Sequence, residues 1–118
     1  MKKNLLLRYS EQLAIEIEEL CKSLSTVKET RNTVFQLRKS SSSVFANVTE
    51  AQYPQSLPDM LSKLKIARKE CFETESWLKL LFEAQYIVDT TYKKERNLCG
   101  RIRKLLTSSC ITIENKIK

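Results

Sequence analysis

VFQLRKSSSSVFANVTEA, residues 34–51, carries the pattern that decides the fold. Val34, Leu37, Ser41, Val44, Val48 and Ala51 recur at alternating spacings of three and four residues, which places them on one stripe of an α-helix. Ser40–Ser43 fall inside that stripe. Serine is an indifferent helix former because its hydroxyl competes for nearby backbone groups. A run of four at mid-helix therefore points to close helix packing, with Ser41 turned to the core, or else to a polar contact surface. Packing is the reading preferred here.

Working outward, the same periodicity predicts three more helices. The first spans residues 4–24, with Leu6, Leu13, Ile17, Leu20 and Leu24 on a seam, Tyr9 beside it, and Glu11, Glu16, Glu18 and Glu19 turned outward. Ser25 and Thr26 supply a break, and the serine-bearing helix covers 27–51. The stretch YPQSLP (53–58) holds both prolines and ends it. Ser56 is placed to cap a third helix over 57–85, with Pro58 and Asp59 in its first turn. Its inner stripe runs through Leu61, Leu64, Ala67, Cys71, Glu75, Leu78 and Leu81. The segment 87–91 reads as a connection, with Asp89 or Thr90 capping a fourth helix over 91–116. Tyr92, Cys99, Ile102, Leu106, Ser109 and Ile113 line that helix, and Gly100 within it marks either a tolerated cost or a close approach by a neighbour. A single glycine and two prolines in 118 residues leave little material for hairpin turns. The expected fold is all-α: an antiparallel up-and-down four-helix bundle forming one domain over residues 1–118.

Composition narrows the chemistry. With no histidine in the chain, Ser-His and Cys-His nucleophile pairs, Glu-x-x-His di-iron sites and Cys/His zinc fingers are excluded. Glu70 and Glu73 share a helix face, but no matching acidic pair occurs elsewhere, so no metal is expected and Glu75 is read as the partner of a Lys or Arg in a salt bridge within the bundle or between subunits. Cys21, Cys71, Cys99 and Cys110 are too widely spaced for a metal motif and sit at or beside apolar helical positions, as buried reduced thiols would. The start, MKKNLLLRYS, is too short in apolar residues for a signal core, and no stretch approaches a membrane span. A cytoplasmic protein without cofactor, catalytic residues or membrane contact is expected.

The helix over 27–51 and the one that follows resemble the small proteins encoded by intervening sequences of bacterial 23S rRNA genes. That family also includes the accessory variability protein of diversity-generating retroelements. Members typically carry Q-L-R-R-A-A-x-S-I-P-x-N-I-A-E-G, which is similar here to Gln36, Leu37, Arg38, Lys39, Ser40, Ser41, Ser43, Val44, Phe45, Asn47, Val48, Thr49, Glu50 and Ala51. Phe45 stands where proline is usual and Ala51 where glycine is usual. The family's Leu-x-Ile-Ala and Glu-x-Glu elements are matched by Leu64, Ile66, Ala67, Glu73 and Glu75. The resemblance implies a ring-like homopentamer, a basic nucleic-acid-associated surface, no enzymatic activity and, for the retroelement branch, a reverse transcriptase as partner.

The formal net charge of +7 favours polyanionic partners, RNA or DNA. The candidate nucleic-acid-binding residues are Arg31, Arg38, Lys39, Lys65, Arg68, Lys69, Arg96, Arg101, Arg103 and Lys104, spread over three helices. Glu95 is the single acid inside the basic run of the last helix. The aromatic residues Tyr53, Phe72, Trp77, Phe82, Tyr86 and Tyr92 are assigned to core or subunit packing rather than to base stacking. The expectation is a non-enzymatic oligomeric protein that binds RNA or DNA electrostatically. The alternative is a protein–protein scaffold whose basicity is incidental.

Overall fold

Ser56 shows how directly local chemistry sets the helix boundaries. Its backbone is extended and its hydroxyl accepts the Asp59 N–H at 3.1 Å, which starts a helix with Pro58 in the first turn. In the computed structural model, which describes residues 4–118, four helices follow one another: α1 Leu5–Ser23, α2 Arg31–Ala51, α3 Leu57–Glu83 and α4 Asp89–Ile117. No strand occurs among the described residues. The molecule is a rod of 48 × 23 × 22 Å, which is what helices of 19 to 29 residues give at about 1.5 Å per residue.

Cross-helix pairs show antiparallel neighbours throughout. Glu18 meets Arg38 and Cys21 meets Val34 between α1 and α2. Ser40 meets Thr74 and Glu50 meets Lys63 between α2 and α3, while Glu75 meets Arg103 and Lys65 meets Glu114 between α3 and α4. In each case the residue number rises on one helix as it falls on the other. The α2–α3 and α3–α4 seams are the most extensive, and α1–α4 is the sparsest of the four.

The helix boundaries depart from expectation at three places. α2 begins at Arg31, not at residue 27, because Val27 is extended and Lys28–Thr30 form a 3-10 turn. Thr30 fixes that corner by giving its hydroxyl to the Val27 carbonyl at 2.8 Å. α3 stops at Glu83 because Gln85 adopts a left-handed φ of 69°. The Tyr86 N–H then reaches the Leu81 carbonyl and the Gln85 N–H the Phe82 carbonyl, each at 2.9 Å, the paired reverse bonds of a Schellman ending. α4 begins at Asp89 and already includes Thr90 and Thr91; neither Asp89 nor Thr90 caps it, since Val88 takes the capping position with no side-chain bond.

Along the stretch that decides the fold, Leu37, Ser41, Val44, Val48 and Ala51 are buried and Val34 is half-buried. Ser40 is buried as well. Its Oγ lies 2.9 Å from Thr74 Oγ1, whose own hydroxyl donates to the Glu70 carbonyl at 2.9 Å. Ser40 therefore serves the α2–α3 seam and Ser41 is buried on the inner stripe, while Ser42 remains exposed. The four cysteines are all buried free thiols. Phe82 stacks on Tyr92 with ring centres 4.5 Å apart, joining α3 to α4 near their connecting turn. Among the other aromatic residues, Trp77 is half-buried, whereas Tyr53, Phe72 and Tyr86 are exposed and take no part in this core.

Gly100 does not mark a close approach. A Cβ built there would meet only the Arg103 Nη2 at 3.9 Å.

Candidate nucleic-acid interface

Bundle geometry sets the ten candidate cations on different seams and faces of the bundle. Arg31 and Arg38 border a groove between the end of α1 and the start of α2, together with Phe35, Leu24 and Val27. Arg38 Nε donates to Glu18 Oε2 at 2.9 Å, so its charge is balanced across the seam. Lys39 and Lys69 both act on Glu70 along α2–α3. Burial and the neighbouring Glu73 raise the Glu70 pKa, against the lowering effect of those two lysines. On the α3–α4 seam Lys65 pairs with Glu114 at 3.3 Å, while Arg68 lies near the Cys110 thiol.

The densest gathering is on α4. Arg96, Arg101, Arg103 and Lys104 line one shallow groove on α4 with Asn97, Gly100 and, from α3, Glu75. Helical spacing explains part of the gathering, since Arg96, Arg103 and Lys104 fall toward one side of α4, while Arg101 reaches the groove from its flank. Arg103 is not a free cation. Its guanidinium grips Glu75 through two hydrogen bonds, Nε to Oε2 and Nη2 to Oε1, and lies 4.8 Å above the Phe72 ring. This confirms Glu75 as an intra-bundle salt-bridge partner. Arg96 leans over Tyr92 at 5.3 Å, leaving its guanidinium beside the groove. Arg31, Lys39, Arg68, Lys69, Arg96, Arg101 and Lys104 have no ion-pair partner among the described residues.

Two features were not foreseen. Glu16, expected to face solvent, and Glu95, read only as an acid inside a basic run, turn toward each other across α1–α4; Glu95 is only 4% exposed. The signal was present, since 92, 95, 99, 102 and 106 keep the spacing of the buried α4 stripe, with Glu95 on it. The second is a groove of about 520 Å³ lined by Pro58, Leu61, Ser62, Lys65, Ile66, Lys69 and Ile117. Leu57, Ile66, Ile111 and Ile117 leave a large part of their apolar surface in water around it. Among the described residues no three acidic, cysteine or histidine side chains gather as metal ligands, and no described helix is long and apolar enough to cross a membrane.

Fold and surface together define a small all-α four-helix protein with a cation-bearing exterior. Residues 2–108 match the family model of the 23S rRNA-intervening sequence protein. The chain belongs to that family. Among solved structures it is similar to a protein of unknown function from the S23 ribosomal protein family of Bacteroides thetaiotaomicron. That likeness has a TM-score of 0.85 at 36% identity, over 89% of this chain and 97% of the other. No curated protein sequence gives a significant match.

Proposed function

We propose that this protein is a non-enzymatic, nucleic-acid-associated member of its family, binding RNA or DNA by electrostatic attraction and acting as a homo-oligomer. The observation that carries this reading is the α4 groove, where Arg96, Arg101 and Lys104 stand together without acidic partners. The sole acid there, Glu75, is held by Arg103. Phosphates attract such a row whatever the base sequence, and each contact releases a counterion.

The exposed apolar residues of α3 and α4 support self-association. A groove floored by Leu61, Ile66 and Ile117 suits contact with another copy, and the family resemblance points to a five-membered ring. The same groove favours a second reading, a scaffold for a different protein with no direct nucleic-acid role. A reverse transcriptase is the partner that the retroelement branch of the resemblance suggests.

Fluorescence anisotropy with labelled single-stranded RNA and DNA tests the first reading. Three phosphate contacts per subunit predict an affinity loss of about 20-fold between about 50 and about 200 mM salt. Reversing Arg96, Arg101 and Lys104 to glutamate should abolish most binding while leaving the helical circular dichroism unchanged. Affinity independent of salt overturns the electrostatic mechanism. Stoichiometric capture of one acidic protein, unaffected by nuclease, favours the scaffold. Light scattering reads the subunit count, and a monomer removes the ring.

A further inference from the structure

Glu95 is out of place by every ordinary rule of burial. It sits on the inner stripe of α4 between Tyr92 and Cys99, almost wholly out of water. Its Oε1 is sealed from solvent without a hydrogen-bond partner, and the same holds for Oε1 of Glu16 on α1. Gln12 serves only the other Glu16 oxygen, Oε2, at 2.9 Å. The Lys94 ammonium stands 3.7 Å from Glu16 Oε1, close enough to attract it and too far to donate to it. Two buried acceptors, each short of a donor, face one another across the sparsest seam of the bundle.

We infer that Glu16 and Glu95 form a one-proton site bridging α1 and α4, and that proton binding there holds α1 closed on the bundle. A carboxyl proton on Glu95, donated toward Glu16, supplies the hydrogen bond that neither oxygen otherwise has. Leaving both groups ionised would set two like charges against each other with little water between them.

The electrostatics agree. Burial and then the Glu16 carboxylate push Glu95 up to about 8. Burial also acts to raise Glu16, but the hydrogen bonds from Glu95 and Gln12 and the Lys94 charge outweigh it and hold Glu16 below its usual value. The charged groups facing the site are Glu16 and Glu19 from α1 and Lys94 from α4 itself. The nearest thiol on its own helix, Cys99, stays neutral because hydrogen bonding with Cys71 and burial raise its pKa. On α3, Glu75 is occupied by Arg103.

The sign follows from proton counting. Between the ordinary carboxylate range and about 8, the closed state binds one proton more than the open state. Closure therefore weakens as pH rises through that window and levels off above it. Glu16 is ionised in both states over this range and does not offset the effect.

Residue-resolved hydrogen exchange, corrected for intrinsic rates, tests the site at about pH 6.5 and about pH 9.5. A closed-state value of about 8 against 4.5 when open predicts that α1 protection falls about 30-fold relative to α3. Glu95→Gln keeps the shape and a donor but cannot ionise, so its α1 protection should stay within about twofold. Carbon-13 titration of the Glu95 carboxyl in the unaltered protein should show a midpoint near 8, and Glu16→Gln should lower it. Equal pH responses of α1 and α3, a loss in Glu95→Gln matching wild type, or a Glu95 midpoint in the ordinary carboxylate range would each overturn the inference. None of these readouts requires nucleic acid, so the outcome is separate from that of the proposed function.

Discussion

Replacing Ser40 with leucine forces two additional heavy atoms into the α2–α3 seam, where Ser40 is 1% exposed. Overpacking a filled core costs about 1–3 kcal/mol. Loss of the 2.9 Å contact with Thr74 adds about 1 kcal/mol. Thr74 is not orphaned, because its hydroxyl still donates to the Glu70 carbonyl. Leucine returns about 0.3–0.5 kcal/mol of helix propensity. The net penalty for Ser40→Leu is about 2–4 kcal/mol, roughly 8–15 °C in melting temperature for a domain of this length. Ser42→Leu, two residues along but exposed, keeps only the propensity gain and should be neutral or slightly stabilising. Urea unfolding followed by far-ultraviolet circular dichroism, at one fixed subunit concentration, measures both variants. A gap under about 0.5 kcal/mol between them would refute the tight seam, and with it the account of the serine run.

Other perturbations test separate parts of the structure. Gly100→Ala should stabilise by about 1 kcal/mol, since the helix gains propensity and the new methyl meets only a flexible Arg103 tip. Gln85→Gly should also raise the melting temperature, by relieving the left-handed backbone at the end of α3; destabilisation by either change would contradict the local geometry. Glu75→Gln should cost about 1–2 kcal/mol, because the Arg103 pair is two-thirds or more shielded from solvent. Glu18→Gln, which breaks the half-exposed pair with Arg38, should cost less than about 0.5 kcal/mol in the same denaturation assay.

The chain's one glycine and the one left-handed turn among the described residues sit at opposite places from where helix chemistry would put them. Gly100 occupies a helix interior that accepts a side chain, while Gln85 holds the left-handed position that a glycine would fill without strain. Neither was legible from the residues. A glycine in a periodic stretch is compatible with a close neighbour or with none. A Schellman ending built on glutamine leaves no compositional mark.

Periodicity by itself determined the four helices, their order and most of the core, because burying one apolar stripe per helix leaves few arrangements for four amphipathic segments joined by short turns. It also identified Ser41 as inward and Glu75 as a salt-bridge partner, and the proline-bearing breaker beside Ser56 marked that residue as a cap. Tertiary structure alone decided which polar side chains the seams would enclose. Ser40 and Thr74 are paired because antiparallel packing sets them at one level of α2–α3. Glu16 and Glu95 face each other because α4 closes the bundle against α1. The same packing spread the ten cations over different seams and neutralised Arg38, Lys65 and Arg103 with acids from neighbouring helices. Helical spacing states which residues share a face. Which charges meet across the gap depends on register between helices, and that is fixed only when the core is packed.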